Sequence, residues 1–186
     1  SLAAFAFTKL HFPGRDKIFV AYLATMMVPW HAIMIPQFIV VKAFGMYNTH
    51  LSLIVLQAFS AFGVFLLRQN MLSIPDSLHE AAKIDGCSTF GIYRKIILPL
   101  SQNGLATLTV LTFNSVWNDY MGPMIYLDSD RLKTIQLGLA SFQQQFSADY
   151  GAIMAGTVCS VIPIIIVYCI GQKYIVEGVA FAGVKG

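Results

Sequence analysis

Charge is what this chain has least of. Lys, Arg, Asp and Glu make up 11% of its 186 residues against 56% for hydrophobic ones, and the net charge is +3. Soluble domains carry about 25% charged and 45–50% apolar residues, so a soluble globular domain is excluded. The few basic residues are scattered, whereas a nucleic-acid binder gathers them on one face. Cysteine is also scarce: Cys87, Cys159 and Cys169 form no C-x-x-C pair, which excludes a disulfide framework and a zinc site. No G-x-x-x-x-G-K-[ST] and no G-x-G occurs, so the chain has no phosphate cradle and is not expected to hydrolyse ATP. His11, His31, His50 and His79 are dispersed with no H-E-x-x-H, and neither a metal site nor a catalytic residue is assigned. The opening SLAAFAF has no basic region of a signal peptide. Its apolar run is cut off at Ser1, which predicts an N-terminally truncated fragment of a longer protein.

Apolar length is what the chain has in quantity, with a mean hydropathy of +0.66. A bilayer-spanning helix needs about 20 mostly apolar residues. Segments 18–41, 51–67, 105–127 and 153–170 meet that requirement, and 1–8 reads as the tail of a further span. The fold class is therefore all-α, a polytopic helical membrane protein built as one transmembrane domain over 1–186. Lys and Arg concentrate on the cytoplasmic side of short loops. Lys9, Arg15, Lys17, Arg68, Lys83, Arg94, Lys95, Lys173 and Lys185 fall on one side; Lys42, Arg131 and Lys133 fall on the other. The loop 70–100 and the C-terminus are thus expected in the cytoplasm, and 128–150 outside.

The loop is the least membrane-like stretch. Ser73 to Asp85 reads as a short helix with Pro75 in its first turn and Asp76 and Glu80 toward its positive end. Leu78, Ala81, Ala82 and Asp85 share a face, and Gly86 supplies the left-handed residue that ends it. Ser88 caps a second helix in which Phe90, Tyr93 and Ile97 share a face, and Pro99 closes it. Two readings fit this helix–glycine–helix hairpin: an amphipathic linker in the headgroup region, or a docking element for a cytoplasmic partner.

Glu80, Ala81, Ala82, Gly86, Ile96, Leu98 and Pro99 occupy the pattern E-A-A-x-x-x-G, nine residues, I-x-L-P. This resembles the EAA loop of permease subunits from ATP-binding-cassette (ABC) importers. ATMMVPWHAIMIPQF, FNSVWNDYMGPMIYL and the ending YIVEGVAFAGVKG are similar to the second permease of carbohydrate importers. Cys87 and Asn103 depart from it, standing where alanine and proline are common. The resemblance implies a bacterial-type inner-membrane subunit that works beside a second permease, ABC ATPase subunits and an extracytoplasmic sugar-binding protein. It implies that Glu80, Ala81, Ala82, Asp85, Gly86, Leu98 and Pro99 couple to the ATPase. ATP and magnesium would bind in that partner, and this chain would hold no cofactor. Two alternatives stand beside it: an importer of the same type for a non-sugar solute, and an ion-driven secondary transporter or channel.

Asp119 inside an apolar segment is costly, by about 2.5–3.5 kcal/mol at a bilayer centre, and should face the protein interior. On an unbroken helix it would lie about 12 Å from Leu127, in the outer half. Asn114 and Asn118 would share one face, Ser115 and Asp119 the next. With Trp117, these residues form either a polar, aromatic lining for a sugar in the translocation path or a set of helix-to-helix ties. Pro29, Pro36 and Pro163 are expected to kink their helices. The segment Leu137 to Gly151 resembles the family's loop toward the binding protein, and Ala152 with Gly156 would permit close helix packing.

Overall fold

The computed structural model describes the backbone of residues 1–145 and 150–183 and the side chains of 1–142 and 150–174. It is all-helical, with no strand among the described residues. Among the described residues Tyr150–Tyr174 is long and apolar enough to cross a bilayer unbroken, and up to four spans result when each bent pair, Arg15–Met27 with Trp30–Ala43, His50–Gln57 with Ala61–Leu72, and Thr89–Leu100 with Gln102–Trp117, counts as one. Part of the segment expected outside (146–149) and Lys185 lie outside the described residues.

Where unbroken helices are expected, the chain interrupts three. The stretch 18–41 divides into Arg15–Ala24, a 3-10 turn Thr25–Met27, and Trp30–Ala43. Pro29 is the cause: it disfavours a helical Val28, which is extended at ψ 117°, and itself caps the next helix. Pro36 and Pro163, by contrast, remain inside helices. The stretch 51–67 divides at residues 58–60, where the Ser60 hydroxyl accepts the Gly63 N–H (3.0 Å) and starts Ala61–Leu72. The stretch 105–127 divides into Gln102–Trp117 and Met121–Tyr126. Asn118 bonds back to the Asn114 carbonyl at 2.8 Å, and Asp119 Oδ1 accepts the Gly122 N–H at 3.1 Å. Such side chains compete with helical backbone bonding and favour caps. The depth of Asp119 therefore cannot be reckoned along one continuous helix.

The chain forms two compact units. The first comprises Ser1–Val28, Ser60–Val110 and Gly171–Gly186; the second comprises Pro29–Phe59 and Leu111–Ile170. The first holds the larger core, in which Ala4, Phe5, Leu67, Met71, Ile74, Ala82, Ile92, Tyr93 and Ile97 are buried together. Arg68 sits 4.4 Å over the Phe19 ring and donates to the Phe7 carbonyl, so its aliphatic stem and its charge both serve packing.

In the second unit the turn at Asn48 is the main polar clasp. Asn48 adopts a left-handed φ of 55°, tolerable for Asn because its short side chain bonds locally. Its Oδ1 accepts the N–H groups of Asp128 (3.0 Å) and Ser129 (2.9 Å), and its own N–H donates to the Tyr126 carbonyl. His50 adds a bond to the Leu132 carbonyl. At Gly156 an added Cβ would stand 2.6 Å from Leu139 Cδ2, so Ile135–Gln145 lies close to Tyr150–Gly183 there and a larger residue would make the Leu139 side chain shift.

Candidate functional site

Two regions carry the candidate residues, one in each unit. In the first, the loop 70–100 is a hairpin of Asp76–Ile84 and Thr89–Leu100. Ser73 belongs to the end of the preceding helix, its hydroxyl donating to the Asn70 carbonyl, so the hairpin helix starts at Asp76 with Pro75 as its cap. Gly86 has φ 79°, its N–H donates to the Lys83 carbonyl, and the Cys87 N–H reaches back to the Ala82 carbonyl. That pair of bonds is a Schellman cap, which a left-handed glycine makes without strain.

Of the face that periodicity groups together, only Ala82 is covered. His79 and Ala82 turn inward, while Leu78, Ala81 and Asp85 are exposed. In the second helix Phe90 is 61% exposed and Ile92 fully buried. The reason lies in Tyr93–Ile97, a π-helical turn that widens the helix and shifts its register. Tyr93 and Ile97 keep their expected place in the core. The result is a rim of Leu78, Ile84 and Phe90 beside Glu80, Ala81 and Gly86, all exposed; Ile84 is 87% exposed. Of the other loop residues singled out by sequence, Ala82 is buried, Leu98 half-buried and Pro99 exposed.

Lys9, which in the sequence contributes only to the charge asymmetry, anchors this hairpin. Lys9 is 5% exposed, and its ammonium donates to the Ile74 carbonyl at 2.6 Å and to Asp76 Oδ1 at 2.7 Å. The Lys9 hydrogen bond, reinforced by its charge, holds the Asp76 carboxyl below its ordinary range. His79 packs 6.2 Å from the Phe5 ring, and its Nδ1 has no partner. Burial pushes the His79 pKa down, and the Lys83 and Lys9 charges push it further, against a weaker opposing pull from Asp76 and Glu80.

In the second unit a cleft of about 380 Å³ opens between Trp30–Ala43, His50–Gln57 and the 115–126 segment. Trp30, His31, Gln37, Gln57, Ser115, Asp119 and Tyr126 line it, with Leu53, Leu56, Met121 and Gly122. Gln57 Nε2 donates to Asp119 Oδ2 at 3.0 Å. Trp30 Nε1 (3.0 Å) and the Tyr126 hydroxyl (2.9 Å) both donate to Gln37 Oε1. Of the four residues singled out as a translocation path, Asp119 alone lines the cleft. Asn118 bonds to Asn114, backbone and side chain. Trp117 stacks on Phe113 at 5.4 Å and donates its indole N–H to the Ser160 carbonyl, tying two helices. The cleft's indole is Trp30 instead. The signal for it lay in polar groups inside apolar segments, His31, Gln37 and Gln57, each of which needs an inward-facing place.

Interrupted apolar helices, polar groups turned into a cleft and a capped hairpin between apolar segments fit a helical membrane protein. The chain belongs to the family described as binding-protein-dependent transport system inner membrane component, whose pattern it matches over residues 1–180. It is similar to the probable ABC transporter permease protein YurM of Bacillus subtilis, at 36% identity over 99% of this chain and 62% of that one. A second relative is the arabinooligosaccharides transport system permease protein AraQ of Halalkalibacterium halodurans, 33% identical over 100% of this chain and 67% of the relative. Among solved structures, a bacterial ABC transporter involved in the import of the acidic polysaccharide alginate superposes with a TM-score of 0.81. That chain is 30% identical, and the match covers 92% of this chain and 66% of that one. The chain thus spans about two thirds of the length of these relatives.

Proposed function

We propose that the chain is part of a permease subunit of an ATP-driven carbohydrate importer, placed in the membrane with the 70–100 hairpin and the C-terminus in the cytoplasm and residues 128–150 outside. The observation that carries the coupling role is the capped hairpin itself. Its base is held by Lys9 and a dry core, while Leu78, Ile84 and Phe90 stand exposed around Glu80 and Gly86. A linker lying in headgroups needs no such rigid base; a lever that transmits force does. The carbohydrate assignment is supported by the arabinooligosaccharide and alginate transporters named above and by the polar lining of the cleft. Non-sugar importers of the same type share the hairpin but lack this second support.

In the mechanism that follows, ABC ATPase subunits close on ATP and magnesium and draw the hairpin with them. The spans move with the hairpin, and a second permease subunit completes the path into which an extracytoplasmic binding protein delivers sugar. The free energy comes from ATP in the partner; this chain transmits it as a difference in contacts between two states.

The test compares ATP hydrolysis of the reconstituted complex, with and without binding protein and sugar, for wild type and for Glu80→Arg combined with Gly86→Val. Stimulation in wild type and its loss in the variant are expected. A complex without a co-purifying ATPase, or a variant that behaves as wild type, would overturn the coupling role in favour of a channel or ion-driven transporter.

A further inference from the structure

Resting on the carbohydrate reading above, we propose that the Asp119 cleft is a subsite for an uncharged saccharide, in which Trp30 offers the stacking face, Gln57 and Asp119 bind hydroxyls, and uronates are rejected. The cleft volume of about 380 Å³ falls in the range of about 300–1,000 Å³ that small-molecule sites occupy. Its lining pairs an apolar floor, Leu53, Leu56 and Met121, with an indole. A sugar ring has the matching character, an apolar C–H face and a hydroxylated edge.

The indole is pre-set for this. Its N–H is held by Gln37, which the Tyr126 hydroxyl fixes in turn, and the ring meets His31 edge-on at 5.5 Å. Trp30 is therefore oriented before any ligand arrives, which lowers the ordering cost of binding.

The polar groups retain capacity. Among the described residues Asp119 accepts one bond at each oxygen, leaving a lone pair on both, and the Gln57 amide oxygen accepts none. Among the described residues the side chains of His31 and Ser115 make no hydrogen bond either, although both line the cleft. These acceptors and donors suit hydroxyls, which both give and receive. Charge supplies the selection. Among the described residues that line the cleft, Asp119 is the one carboxylate, and no Lys or Arg accompanies it. A uronate entering the cleft would bring a second carboxylate beside the first with no counter-ion among the lining residues, and like charges placed together in this way are disfavoured.

The experiment uses the full-length subunit in nanodiscs with its partner permease and ATPase. Equilibrium binding of labelled maltotriose, arabinotriose and trigalacturonate is measured for wild type, Trp30→Leu, Trp30→Phe, Gln57→Met and Asp119→Asn, after size-exclusion chromatography has confirmed assembly of each. Sugar-stimulated hydrolysis with binding protein is measured alongside. At least one neutral trisaccharide should bind wild type, weakened tenfold or more by Trp30→Leu and by Gln57→Met but less by Trp30→Phe, which keeps a ring. Trigalacturonate should bind at least tenfold more weakly than that neutral sugar. Asp119→Asn, whose amide oxygen still caps the Gly122 N–H, should close that gap. Stimulated hydrolysis with variants that bind as wild type would overturn the subsite alone, as would equal binding of trigalacturonate to wild type. If no saccharide binds or stimulates, the carbohydrate reading falls and the subsite with it.

Discussion

The base of the hairpin and the Asp119 cleft are both built from polar groups set into apolar surroundings, yet they spend those groups in opposite ways. At the hairpin base Lys9 is almost wholly buried and bonded to two oxygens, one of them the carbonyl of Ile74, which belongs to the buried core with Phe5, Met71, Tyr93 and Ile97. In the cleft Asp119, Gln57 and His31 stand at an open surface with bonds still to make. A buried charge held by two short bonds stiffens its surroundings, whereas exposed donors and acceptors with capacity to spare are a surface prepared for something else. The contrast separates a region suited to carrying force from one suited to receiving a ligand.

The sharpest way to break this contrast is by truncation. Leu67→Ala, in the hairpin-side core where Leu67 is fully buried, should cost about 2–5 kcal/mol. Leu56→Ala, on the open cleft wall, should cost well under half as much. Unfolding of the full-length subunit in detergent would read both, and equal losses would mean that the two regions are equally packed. Next in size is Lys9→Met. A hydrogen bond from a charged donor is worth about 1.5–3 kcal/mol, and the lower end applies here because Asp76 remains hydrated. An Arg15→Met control, whose charge is more exposed, should change little; a comparable loss there would remove the special status of Lys9.

Gly86→Ala should cost about 1–2 kcal/mol through the left-handed backbone alone, since nothing lies within 4 Å of an added Cβ. The proposed coupling adds that stimulated ATP hydrolysis falls much further than stability does. Parallel losses would reduce the glycine to a fold element. The smallest effect is on pH dependence, confined to the hairpin. Burial lowers the His79 pKa, so the folded state binds fewer protons than the unfolded one. Its neutral form is favourable above about pH 6.5, and stability declines as pH falls through that value. The depressed Asp76 value acts in the same direction, its contribution being lost only below about pH 4. His79→Leu should flatten the upper window and leave the lower one; an unchanged thermal-melting profile across pH 5–7.5 would show that the imidazole titrates in both states alike.

The hairpin was far more legible in the sequence than the cleft. Its glycine cap, its Ser88 cap and its two helices follow from local rules that act within a few residues. Local periodicity groups Phe90 with Tyr93 and Ile97, yet only the latter two are covered, beside a π-helical turn that is not visible in a window of ten residues. In the cleft, Asp119 drew notice as an ionisable group in an apolar run. Trp117 drew notice as its neighbour, yet the chain turns it toward Ser160 and brings Trp30 in, 89 positions away from Asp119.

By itself the sequence determined the composition-driven facts: an all-helical chain for a membrane, a glycine-centred hairpin, and the polar residues that apolar segments must turn inward. Those follow from solvation and from backbone sterics, which each residue carries with it. The tertiary structure decided where the helices break, which face of the hairpin is buried, that Lys9 is its anchor, and which indole meets Asp119. Each of these depends on a partner distant in sequence, and the energy of a packed or hydrogen-bonded pair exists only when both members have been brought together.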